Sequence, residues 1–220
     1  MDVDALRLSF TLAALTTLIL LALGLPLAAW LASSRWRLKP VVEAVVALPL
    51  VLPPTVLGFY LLVAMGPMSP LGQGWIAAFG RPLAFSFEGL LLASVIYSVP
   101  FAVQPFSAAL AGVDPRLVEA SHTLGASRVA TFLRVTLPLA APGVVAGAVL
   151  TFAHALGEFG VVLMVGGNIR GETRTLSIAI FDAVEQLDYA AAGRTSLFLI
   201  AVSFAMLLVT HALQRRRRPA

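Results

Sequence analysis

Glu158 interrupts a long apolar stretch, with Gly157 before it and Phe159-Gly160 after it. An ionisable group in such a setting turns toward a bundle interior or a wet cavity and is a functional-site candidate by default. It has no evident catalytic company. His122, His154 and His211 are too dispersed for a metal site, and His154 reads as a packed or hydrogen-bonded residue rather than a ligand. With 0 cysteines there is no thiolate nucleophile, disulfide or Cys-ligated zinc. An intramembrane enzyme needs a nucleophile and a base at depth, and the chain offers neither Gly-x-Ser-x-Gly nor a deep aspartate pair. A G-x4-G-K-[ST] phosphate loop is also missing, so the chain is not expected to hydrolyse ATP itself.

The elements that must position Glu158 follow from composition. The chain has 220 residues, 59% hydrophobic and 12% charged, and a mean hydropathy of +0.93. Soluble domains carry roughly 25% charged residues, so the solvent implied is lipid. Five charge-free runs carry the apolar residues: Leu8–Ser34 (27 residues), Ala44–Gly80 (37), Gly89 up to Asp114 (25), Val135–Gly157 (23) and Thr195–Gln214 (20). Each reaches or exceeds the ~18 to 20 residues needed to cross ~30 Å of hydrocarbon. The expected fold is an all-α integral membrane protein, one domain over 1–220. Its five transmembrane helices are expected near 8–32, 42–66, 89–111, 142–166 and 192–213, with a cytoplasmic loop over 112–141. The second half of the 37-residue run, Gly66 to Gly74, is too rich in breakers for a sixth span and reads as an outer loop with an interfacial stretch around Trp75 to Phe79.

Basic residues orient the chain. With the N-terminus outside, ten lie inside (Arg35, Arg37, Lys39, Arg116, Arg128, Arg134 and Arg215 to Arg218) against five outside (Arg7, Arg81, Arg170, Arg174, Arg194). The positive-inside rule therefore favours N-out, C-in. The net charge of +4 is explained by this placement and does not call for nucleic acid. The first apolar run is too long, and its flank too acidic at Asp2 and Asp4, for a cleavable signal peptide.

Two spans carry irregularities. Pro49, Pro53 and Pro54, followed by Thr55 and Gly58, must kink or unwind the second span. That break reads either as packing or as a discontinuous helix lining a pathway. In the fourth, Gly143 and Gly147 form a small-xxx-small pattern that lets two helices approach closely, within the chain more readily than across a dimer seam.

The 112–141 connection is patterned as two short helices. Asp114 caps the first, Pro115 opens it, and Gly125 stops it. Ser127 caps a second, Arg128 to Val135, which Leu137-Pro138 is expected to end. An apolar face carried into the cytoplasm suits docking on another protein or lying on headgroups.

At this loop, Glu119-Ala120-Ser121, three residues, Gly125, nine residues, then Val135-Thr136-Leu137-Pro138 resembles the EAA motif of ABC importer permeases, with Ser121 in place of the second Ala and Val135 in place of Ile. The resemblance implies a type I ABC importer permease fold. It assigns Glu119, Ala120, Ser121, Gly125 and Pro138 to coupling with separate ATPase subunits.

The stretches Leu48 to Tyr60, Leu156-Gly157-Glu158-Phe159-Gly160 and Val165-Gly166-Gly167-Asn168-Ile169, with Thr173 and Thr175, narrow the resemblance to molybdate-type oxyanion permeases. Sulfate/thiosulfate and tungstate permeases are the near alternatives. The resemblance implies a homodimer of permease chains in the bacterial cytoplasmic membrane, two ATPase subunits that bind ATP-Mg, and an extracytoplasmic oxyanion-binding protein. No cofactor is expected in this chain, and no metal.

Pathway or gate candidates are Pro53, Pro54, Thr55, Gly58, Gly157, Glu158, Gly160 and Asn168. A carboxylate repels an oxyanion, so Glu158 is expected to pair with an arginine or a helix N-terminus, or to gate, rather than to bind cargo. Amides exposed beside Gly157 and Gly160 could pass a dianion without holding it tightly. None of the basic residues falls at the centre of a span, which places selectivity on the binding protein. That protein would dock outside, where Thr175 to Glu185 reads as an amphipathic helix or a plain interfacial anchor.

Overall fold

The computed structural model describes residues 2–215, with side chains described as far as Thr210. Regular structure among these residues is helical throughout, with no strand. The basic tail Arg215 to Arg218 lies outside the described side chains, as does His211.

Four helices are long and apolar enough to cross a membrane. They are α1 (Val3–Ser33), α5 (Phe87–Ala111), a continuous helix Arg128–Gly157, and α11 (Tyr189–Arg215). A fifth candidate is a bent pair, α2 (Lys39–Val51) and α3 (Pro54–Met65), which turn through 108° at their junction. The bend sits at Leu52-Pro53, where Pro53 caps α3 and Pro54 opens it. Neither proline can donate to the preceding turn, so α2 closes on Leu52 donating to Leu48 and the chain leaves in a new direction.

The continuous helix differs from the sequence expectation, in which Pro138 ended the loop's second helix. Here α7 (Arg128–Thr131) passes through one wide π turn, Phe132–Thr136, into α8 (Leu137–Gly157) without a stop. The Leu137 amide donates to Phe132, five residues back. Pro138 then falls in the first turn after the wide one, where its missing N–H and fixed φ are tolerated. The fourth span also ends earlier than expected. Instead of reaching 166, it breaks after Gly157, and α9 (Gly160–Gly166) continues separately.

Helices α1, α5 and α8 form the central layer, with Leu20, Ala28, Ala102, Val103, Phe106 and Val144 in one buried cluster. Lipid tails are as apolar as leucine, so close packing rather than escape from water must hold these helices together. Small residues provide it. A Cβ on Gly143 would stand 2.5 Å from the Ala109 Cβ, and one on Gly147 2.8 Å from the Phe106 ring. The small-xxx-small pattern is therefore used inside the chain, against α5. Helix α11 shows Leu197, Ile200, Phe204 and Leu208 on its outer face.

Two shorter helices gather at the end of the bundle where α1 begins. Helix α4 (Pro70–Phe79) is capped by Ser69, and the Trp75 and Phe79 rings meet on it, tilted, with centroids 4.1 Å apart. Helix α10 (Leu176–Glu185) is capped by Thr175 and seated on the bundle by fully buried Leu176 and Ile178; the Leu176 amide donates to Ser9 Oγ at 2.8 Å. It is thus more than a plain anchor. Arg174 pins the same corner, bridging Asp182 at 2.7 Å and Asp2 at 3.5 Å. At the opposite end, where α1 finishes, lie α6 (Pro115–Thr123), α7 and the basic residues Arg35 and Arg128.

Candidate functional site

Two regions carry the residues singled out in the sequence, one at each end of the helix Arg128–Gly157. At its start lies the loop helix α6. Asp114 Oδ1 accepts from the Arg116 amide at 2.9 Å and sets the first turn, with Pro115 behind it. Gly125 stops the helix at φ +84°, and two crossed bonds close it: Gly125 N–H to the His122 carbonyl (2.9 Å) and Ala126 N–H to Ser121 (3.1 Å). This is a Schellman motif, which requires a left-handed residue at that point. No residue of α6 is buried. Glu119 and Ala120 are exposed, and Leu124 is 88% exposed.

Ser121, where the motif has alanine, is put to use. Its hydroxyl hydrogen-bonds that of Thr131 at 3.0 Å, joining α6 to the start of the long helix, and Thr131 is itself buried. Pro138 lies further along the same helix, beyond the π turn. Four of the five coupling candidates therefore sit on or just after α6, while Pro138 belongs to the rod that leads away from it.

At the other end, α8 stops with Glu158 as its cap residue. The Glu158 side chain is buried (5% exposed), and neither carboxyl oxygen has a hydrogen-bond partner among the described residues. Of the roles expected for it, the arginine pair is not among the described ion pairs, none of which includes Glu158. Among the described arginines, Arg81 is taken by Glu88 and Arg174 by Asp2 and Asp182, whereas Glu158 faces the Ser94 hydroxyl of α5, which in turn accepts from Thr16 of α1 at 3.1 Å. Ser94 and Thr16 were not singled out in the sequence; hydroxyls inside apolar runs were the available signal.

One turn before Glu158, His154 stacks on Phe101 with ring centroids 3.6 Å apart and lies 5.1 Å from Tyr97. No group of three or more possible metal ligands occurs among the described residues.

The remaining pathway candidates divide. Pro54, Gly58 and Gly160 come together where α3 crosses α9. A Cβ on Gly160 would lie 2.7 Å from the Pro54 Cβ, and one on Gly58 2.7 Å from the Met164 Cβ and 3.3 Å from the Val161 Cα. Glycine at both positions is what permits this crossing. Pro53 and Thr55 flank it at the bend and are exposed, as is Gly157, where an added Cβ would meet nothing within 4 Å. Asn168 does not join them. It is exposed in the loop beyond α9, after Gly167 at φ +67°, with Thr173 fastening that loop by donating to the Gly166 carbonyl at 2.6 Å and accepting from the Ile169 amide.

Comparisons with known proteins bear on what this arrangement serves. Residues 24–219 match the family described as "Binding-protein-dependent transport system inner membrane component". The molybdenum transport system permease protein ModB of Azotobacter vinelandii is 50% identical over 214 residues, covering 97% of this chain and 95% of its own. The protein of the same name in Escherichia coli strain K12 is 39% identical, covering 98% and 94%.

Among solved structures, a bacterial ABC transporter that imports alginate is matched with TM-score 0.78 at 17% identity, covering 99% of this chain and 80% of that one. The inward-facing MetNI methionine ABC transporter is matched with TM-score 0.76 at 17% identity, covering 99% and 97%. These two establish the fold. With the family match spanning most of the sequence and the close relatives nearly all of it, the chain belongs to the binding-protein-dependent transport system inner membrane components.

Proposed function

We propose that this chain is the membrane-spanning permease subunit of an ATP-driven molybdate importer. The observation that carries the substrate is the 50% identity, over 97% of the chain, to a molybdenum permease. Residues 1–220 act as one transmembrane domain, N-out and C-in, with 112–141 as the cytoplasmic coupling loop. Two copies enclose the path, two ATPase subunits bind ATP-Mg, and an extracytoplasmic oxyanion-binding protein delivers the cargo.

Glu119, Ala120, Ser121 and Gly125 form the surface that meets an ATPase subunit. Its exposure and its sharp glycine stop support that role. Closure of the ATPase pair displaces α6; the Ser121–Thr131 bond passes the displacement to the helix that runs past Pro138 to Gly157. At the far end, Glu158 and the α3–α9 crossing at Pro54, Gly58 and Gly160 respond as the gate, with Pro53, Thr55, Gly157 and Asn168 beside the path. Glu158 holds the break and does not bind the oxyanion.

The test is uptake of labelled molybdate by cells expressing the transporter, with tungstate and sulfate as competitors. Molybdate uptake unaffected by a hundredfold excess of sulfate is expected; sulfate competing as well as unlabelled molybdate would overturn the substrate. A reporter fused after Arg218 is expected to read as cytoplasmic, and an external readout would overturn the orientation.

A further inference from the structure

A cleft of about 1120 Å³ opens between the end of α1 and the α6–α7 pair. Its lining changes character along its depth. Ala29, Trp30, Leu110 and Ala111 come from the ends of the long apolar helices α1 and α5, while all of its charged groups, Arg35, Glu119 and Arg128, come from the connections beyond them, beside Val118, Val129 and Phe132. Trp30 and Trp36 meet edge to face at 6.0 Å beside it. Tryptophans in this position mark the level of the lipid headgroups.

Arg35 and Arg128 are exposed, and neither is in an ion pair among the described residues. Of the charged side chains that line the cleft, these two arginines stand against Glu119. The cleft is thus apolar toward the membrane and cationic toward its mouth.

We propose that this cleft is a binding site for one anionic phospholipid, its phosphate between Arg35 and Arg128 and its acyl chains along Ala29, Trp30 and Leu110. The graded lining selects an amphiphile over a protein helix, which would bring polar groups to the apolar end. Charge selects an anionic headgroup, since basic pockets between membrane helices on the cytoplasmic side recruit such lipids. Because Val118, Glu119 and His122 of α6 form one wall, the bound lipid would brace α6 against α1. Lipid composition would then adjust how firmly that helix is held.

The full-length Trp75→Phe chain in phosphatidylcholine vesicles leaves Trp30 and Trp36 as reporters beside the cleft. Brominated phosphatidylglycerol is expected to quench them at a far lower mole fraction than brominated phosphatidylcholine. Each arginine contributes roughly fivefold to the preference, so about 25-fold for the pair. Arg35→Gln with Arg128→Gln should abolish the preference, and the Arg→Lys pair should keep it. Equal quenching by the two lipids in the parent chain, or an undiminished preference in the Gln pair, would overturn the proposal. So would loss of ATPase-subunit retention in the Gln pair with lipid preference unchanged, because the cleft would then serve the partner. The quenching needs neither ATP nor oxyanion, and it stands apart from the identity of the cargo.

Discussion

Gly125 offers a graded test of the coupling surface, because its structural role reduces to a single variable. A Cβ there would meet nothing within 4 Å, so substitution brings no clash. What remains is the backbone at φ +84°. Holding an L-residue left-handed costs about 1–2 kcal/mol, which shifts the population of correctly ended α6 by a factor of roughly 5 to 30. Asparagine tolerates this region better than other residues with side chains, whereas proline fixes φ near −65° and removes the N–H that bonds His122.

Uptake per ATP hydrolysed should therefore fall in the order Gly125, Gly125→Asn, Gly125→Ala, Gly125→Pro, with similar amounts of protein in the membrane. The assay is labelled molybdate uptake into vesicles alongside phosphate release from the same preparation. Equal coupling in the alanine and proline variants, or an asparagine variant worse than alanine, would refute the argument from backbone conformation.

Other substitutions probe the rest of the site. Gly160→Leu should force α3 and α9 apart at Pro54 and abolish uptake while leaving the assembled protein in the membrane; uptake within twofold of the parent would show that this crossing is not needed. Ser121→Ala and Thr131→Val should each weaken coupling by severalfold, reflecting a hydrogen bond of ~1 kcal/mol. The double variant should be no worse than either single one, and additive losses would show that the two hydroxyls act separately. Glu158→Gln keeps the shape of a side chain that has no cationic partner among the described residues. It should retain uptake and thermal stability, whereas a complete loss would mean that the carboxyl's charge, and not only its shape, is needed at the gate or by the cargo.

The local marks of the loop could be read from sequence because they are short-range. Asp114, Pro115 and Gly125 set α6, and Ser127 caps α7, all through neighbours within a few residues. The prolines at 53 and 54 likewise declared a break, though not its 108° angle, which depends on what α3 packs against. Pro138 misled the reading because a π turn upstream, invisible in residue type, absorbs it.

The break at Glu158 was harder still. Nothing in Gly157-Glu158-Phe159-Gly160 forbids a helix, and the partners of this corner come from α1, α3 and α5, far away in the chain. An arginine partner for Glu158 was a sound expectation from charge alone. None of the described ion pairs includes it, and Glu158 instead lies buried beside Ser94, between the end of α8 and the start of α9.

The unbroken helix from Arg128 to Gly157 has a mechanical meaning. It is held at its waist, where Gly143 and Gly147 leave no room between it and α5. A rod gripped there is a lever, with roughly 25 Å on the loop side of the grip and about 18 Å on the side of the break, at ~1.5 Å per residue. Unequal arms mean that a sideways push at Arg128 arrives at Gly157 reversed in direction and reduced to about seven-tenths of its size, with the force raised in proportion. The two glycines therefore set a gear ratio. On the coupling and gate roles proposed above, moving the small residues one turn along the helix would change the stroke at Gly157 without altering a single residue at either end.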